Sequence, residues 1–117
     1  MTEMTIQVRD SLAPQIQSFG GWFSTIIELA AANFKTSAPQ KASAELIDFL
    51  SQNPAPPEVL DYSLSNDAQE RVSLLLDLNR EGEATEDDQN ELDEWMKFEH
   101  ICILLTAKAA KEKRAKL

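Results

Sequence analysis

The feature that most constrains this chain is the absence of any glycine or proline after Gly82. From Glu86 onward nothing breaks a helix, so the pattern predicts one that runs almost to the last residue. Ahead of it, residues 66–80 read as a shorter helix. Ser65 is its N-cap, and Asp67 lies in its first turn, where the helix dipole favours an acid. Val72, Leu75, Leu76 and Asn79 recur at i, i+3, i+4 and i+7, and Leu74 and Leu78 widen that face. Gly82 suits the intervening turn, because it takes positive φ without a Cβ clash. Thr85 caps the second helix, with Glu86, Asp87 and Asp88 in its first turn. The two patterns form an αα-hairpin.

Its arms are unequal. A helix of about 30 residues is roughly 45 Å long, and the first arm is about half that. The long arm therefore cannot bury its whole apolar face against the short one. Trp95, Phe98, Cys102, Leu105 and Ala109 form a coiled-coil-like seam, and Leu92, Met96 and Ile103 lie on an adjoining face. The run from Ile101 to Leu105 is apolar in every direction, which predicts cover on more than one side. Either the N-terminal half or another chain must provide that cover. If another chain does, Trp95, Phe98, Cys102 and Leu105 are the partner-binding residues, with Trp95 the first candidate for an exposed anchor.

The rest of the chain is short elements. From Met4 to Arg9 the residues alternate, with Met4, Ile6 and Val8 on one face and Thr5, Gln7 and Arg9 on the other. This predicts a short half-buried strand. No other stretch reads as a strand, so its backbone groups need a partner, and its own copy in a homodimer is the expected one. A short helix follows to about Phe19, with Pro14 in its first turn, and Gly20-Gly21 breaks it. Residues 22–34 predict a helix with Phe23, Ile26, Ile27, Ala30 and Phe34 inward. Residues 35–40 are expected as a loop and 42–51 as a helix. The Asn53-Pro-Ala-Pro-Pro connector is stiff, and 57–62 suits one more helical turn. The expected fold is mainly α, with an N-terminal strand paired across a dimer and a C-terminal helical hairpin. Three segments follow: a dimerisation module over 1–36, a helix and proline-rich connector over 37–64, and an acidic partner-binding hairpin over 65–117.

Apolar content of 43% is enough for a real core. No apolar stretch approaches the roughly 18 residues that a membrane span needs, and no leader pattern is evident at the N-terminus. Cys102 stands alone, so no disulfide framework is expected, and the cytoplasm is the expected compartment. The net charge of −9 is uneven: residues 51–100 hold 14 acidic side chains against Arg71, Arg80 and Lys97. Lys108, Lys111, Lys113, Arg114 and Lys116 cluster at the end, where cations complement a helix dipole. An acidic chain is a poor generic binder of nucleic acid.

No catalytic, metal or cofactor constellation is expected. His100 and Cys102 point about 200° apart on one helix and cannot share a metal. The acids between Glu81 and Asp88 do not follow the calcium-loop spacing and are explained by a helix start.

Two resemblances follow from these residues. The strand, helix, turn and helix over about 3–34 resemble the ribbon-helix-helix fold of small repressors and antitoxins. That resemblance implies operator DNA bound in the major groove, with Thr5, Gln7 and Arg9 as base readers. It also implies phosphate binding by the N–H groups around Trp22 to Ser24. Over nearly the whole chain, Ala44-Glu-Leu-Ile-Asp-Phe-Leu, the Asn53-Pro-Ala-Pro-Pro-Glu-Val-Leu segment, Arg71…Leu75-Leu-Asp-Leu-Asn-Arg-Glu-Gly, Glu91-Leu…Glu99-His and Leu104-Leu-Thr-Ala-Lys-Ala resemble a family of small, largely uncharacterised cyanobacterial proteins loosely grouped with antitoxins. This resemblance implies a bacterial protein encoded beside a partner. The expectation is an antitoxin-like dimer whose acidic hairpin occludes a basic toxin. The alternative is a non-enzymatic adaptor or assembly factor that docks on a larger complex without DNA.

Overall fold

The computed structural model describes residues 2–115 of the chain. Its elements are α1 (Ala13–Ser18), a 3-10 turn (Gly20–Trp22), α2 (Phe23–Ala32), α3 (Ser37–Leu50), α4 (Pro56–Leu60), α5 (Asn66–Arg80) and α6 (Glu86–Ala115). Among the described residues there is no strand.

The hairpin follows its caps. Ser65 Oγ accepts the Ala68 N–H at 3.2 Å and starts α5. Thr85 Oγ1 accepts the Asp88 N–H at 3.1 Å, and the Asp88 carboxylate accepts the Thr85 N–H at 3.0 Å. That reciprocal pair fixes where α6 begins. Gly82 turns between them at φ 74° with open space where a Cβ would sit.

α6 has 30 residues against 15 in α5. Its surplus is covered from within the chain: α6 packs against α2, α3, α4 and α5. Leu92, Trp95, Phe98, Ile101, Leu105 and Ala109 are buried along it, and they meet Trp22, Ile26, Leu29 and Phe34 from the N-terminal half and Leu46, Leu50 and Val59 from the middle. Phe98 is the hub, edge-on to Trp95 at 5.7 Å and to Phe34 at 6.0 Å between ring centroids. Such edge-to-face pairs suit the ring quadrupoles.

The expected N-terminal strand is not there. Residues 2–9 carry no regular structure, and Met4 and Ile6 are 85% and 60% exposed. The alternation of Met4 to Arg9 is real, but the described residues hold no second strand whose ladder would satisfy it. The Arg9 carbonyl instead accepts the N–H groups of Leu12 and Ala13, in the turn that leads into α1. A strand paired across a dimer is thereby corrected to an irregular N-terminal arm, and the structural argument for a homodimer goes with it.

Two further expectations change. Residues 37–40 belong to α3 and not to a loop. The reason is tertiary: the Glu94 carboxylate, on α6, accepts the N–H groups of Lys35 and Thr36 at 2.7 and 2.8 Å and the Thr36 hydroxyl. It caps α3 from outside, and Pro39 sits in the first turn, where proline costs no hydrogen bond. α2 ends at Ala32, with Asn33 in the left-handed region, and not at Phe34 as expected. Ile26 and the following Phe34 are inward as expected, but Ile27 and Ala30 are exposed while Thr25 and Leu29 are buried. The 3-10 turn rotates the helix entry and shifts its buried face. Gly20 makes that turn at φ 63°, a conformation costly for any residue with a Cβ.

Removing the external cap is expected to loosen the α2–α3 corner. Glu94→Ala is expected to lower unfolding stability by about 1–2 kcal/mol, read from urea melts. A change of only a few tenths would show that the cap contributes little.

Candidate partner-binding groove

Polar contacts join α5 to α6 at two levels, in the first half of α5 and beside the turn. Arg71 donates to Glu91 in a bidentate pair at 2.8 and 2.9 Å and lies 3.9 Å from Asp88. Glu91 also accepts the Trp95 indole N–H at 3.0 Å, and Gln89 donates to Asn79 at 2.7 Å. Glu91 is buried, so its charge requires these donors. The Arg71 hydrogen bonds hold its carboxyl below the usual range against the opposing effect of burial, with Trp95 assisting. Asp88 is lowered by its hydrogen bonds from Thr85. Burial pushes Glu94 up, yet its bonds from Thr36 and Lys35, with Lys97 nearby, bring it below the usual range.

Beside these contacts, α5, the loop after α4 and α6 enclose an apolar groove of about 430 Å³. Val72 and Leu76 line it from α5, and Tyr62 and Leu64 from the loop. Trp95, Phe98 and Leu105 are its buried lining, while Met96, Glu99 and Cys102 are the more accessible lining residues of α6. Leu76 and Met96 are 47% and 66% exposed, one on each helix. Large apolar side chains so exposed in the lining of one cleft mark a surface shaped to receive something.

The four hairpin residues singled out from the sequence all line this groove. Their roles differ from a free seam. Trp95, Phe98 and Leu105 are buried, so Trp95 is not an exposed anchor, and Cys102 is half-buried. Burial, then Glu99, pushes the Cys102 thiol up to about 11. Burial also raises the Tyr62 phenol, with Glu45 and Cys102 adding to it. Both groups therefore stay protonated at neutral pH, and a thiol so held is a weak nucleophile. The accessible residues, Val72, Leu76 and Met96, were legible as apolar helix positions, but their meeting in one cleft depends on how the helices pack.

The other sequence-based candidates are apart from this site. Thr5, Gln7 and Arg9 are exposed in the irregular arm. Ser24 has its hydroxyl within 3.3 Å of Lys108 Nζ, which also donates to the Gly21 carbonyl and sits 5.8 Å from the Trp22 ring centre. Lys108 is thus committed to the start of α2. Lys111, Lys113 and Arg114 are exposed, and Lys116 lies outside the described residues. Among the described residues, no three histidine, cysteine or acidic side chains converge as a metal site. Among the same residues, no helix is long and apolar enough to cross a membrane.

Compared with known proteins, the chain matches no family model, no curated protein and no solved structure.

All three lowered carboxylates contribute stability that is present above the ordinary carboxylate range, about pH 4, and lost as pH falls through their folded values. Glu91→Gln is expected to be about 1–3 kcal/mol less stable than the wild type near neutrality. The two proteins should converge in strong acid, where Glu91 is itself protonated. Chemical melts across that range check this, and a gap that does not change with pH contradicts it.

Proposed function

We propose that this protein is a non-enzymatic docking module that holds an apolar segment of a partner protein in the groove between α5 and α6. The observation that carries this reading is that two exposed apolar side chains, Leu76 of α5 and Met96 of α6, line one apolar cleft whose other lining includes the buried Trp95, Phe98 and Leu105. A groove with a rigid floor and apolar walls binds by excluding water, and each buried Å² of apolar surface contributes about 25 cal/mol. The titratable groups support binding over chemistry. Cys102 and Tyr62 are driven away from neutrality, and the depressed carboxylates are engaged in caps and the Arg71 clamp. The mechanism is occlusion or bridging: the bound segment is withheld from other uses or joined to this chain. Both the adaptor and the toxin-neutralising readings share that step. In the cytoplasm, the lone Cys102 stays reduced and serves as part of the apolar lining.

The test is a tagged full-length chain purified with its partner from the native host, beside two variants. Leu76→Gln with Met96→Gln alters the groove walls without touching buried residues. Leu74→Gln alters an apolar residue that is 49% exposed and outside the groove. The expected result is a partner retained by the wild type and by Leu74→Gln, and recovered at least tenfold less by the double variant. Equal recovery by all three proteins sinks the groove reading.

A further inference from the structure

The proposal above leaves the occupant open, and the charges around the groove identify its chemistry. Glu99 lines the α6 side beside Cys102, is exposed, and takes part in no ion pair among the described residues. Most of the groove is lined from the part of the chain, residues 51–100, that holds 14 acidic side chains against Arg71, Arg80 and Lys97. Arg71 is held by Glu91 and Asp88, and Arg80 lies 3.4 Å from Asp77. The groove is therefore apolar inside, set in an acidic part of the chain, with Glu99 the acid on its lining.

Shape narrows the occupant further. The walls are two antiparallel helices, and the described residues offer no strand edge to which an extended peptide could add. A third helix is what a groove between two helices accepts, with its apolar ridge laid between theirs. A second copy of this chain does not suit the charge, because it carries −9 overall and would bring like-charged margins together. An anionic ligand such as a fatty acid is disfavoured for the same reason.

Resting on the docking reading above, we propose that the groove is specific for a cationic amphipathic helix: an apolar stripe at i, i+3, i+4 and i+7 flanked by lysine or arginine. The apolar stripe seats against Leu76 and Met96, and the flanking cations meet Glu99 and the acidic surface around it. The charges add specificity and association rate more than affinity, since exposed pairs are individually weak.

Two synthetic helices with the same apolar stripe test this, one flanked by lysines and one by glutamates, each labelled and titrated with the full chain by fluorescence anisotropy. The lysine peptide is expected to bind at least tenfold tighter at low salt. The gap should shrink as salt rises, because screening weakens the margin contacts. Glu99→Gln should reduce the preference severalfold while leaving the fold intact, since its side chain is exposed. If both peptides bind equally and Leu76→Gln with Met96→Gln abolishes both, the groove reading stands and the cationic specificity is overturned. If the lysine peptide binds the groove variant as well as the wild type, attraction is diffuse and the proposal fails. If neither peptide binds, the proposal is overturned and so is a helix-receiving groove.

Discussion

The structure depends on a mismatch of length. A helix of 30 residues is paired in a hairpin with one of 15, so half of its apolar circumference must be covered by something other than its hairpin partner. α2, α3 and α4 meet that need. α2 runs antiparallel along the far half, with Lys108 reaching the Gly21 carbonyl at one end and Glu94 reaching Thr36 at the other. α4, only five residues long, crosses the remaining gap. Trp22 ties that crossing down, donating its indole N–H to the Pro54 carbonyl at 2.8 Å. The proline-rich connector is thus part of the packed body as well as a spacer.

Two kinds of attachment hold α6 to its surroundings. Apolar contacts around Phe98 supply area without direction. Polar contacts supply direction: Glu91 to Arg71 and Trp95, Glu94 to the start of α3, Lys108 to the start of α2. Every buried side-chain nitrogen and oxygen among the described residues has a hydrogen-bond partner. The groove begins beside one of these contacts: Val72 follows Arg71 on α5, and Trp95, whose indole N–H reaches Glu91, is part of the apolar lining.

The hairpin was legible in the sequence because its signals are local. Ser65, Gly82, Thr85 and Asp88 act within four residues of themselves, and the Trp95–Ala109 seam is a periodicity of one element. What was not legible came from distance. The start of α3 is set by Glu94, 58 residues from Thr36, and no window around Thr36 contains that carboxylate. The buried face of α2 depends on a 3-10 turn that rotates its entry. The N-terminal alternation gave a correct local pattern and a wrong element, because a strand is defined by its neighbour and not by its own sequence. For the site, the apolar residues of α5 and α6 were evident, but the sequence did not show that Trp95 is buried in the lining and Met96 exposed. That depends on how the helices pack.

The way α6 closes the fold has a consequence for how the chain is made. Gly21 and Lys108 are 87 residues apart, and Lys35 and Glu94 are 59 apart. During translation Trp22, Ile26, Leu29 and Phe34 emerge well before the helix that will bury them. The nascent N-terminal half therefore carries an apolar surface that stays incompletely covered until α6 emerges. The hairpin, whose contacts are local, is suited to zip first and then recruit the waiting half in one late, long-range step. A chain truncated within α6 would retain its caps and its clamp yet lose that closure, leaving the earlier helices without the surface they were built to meet.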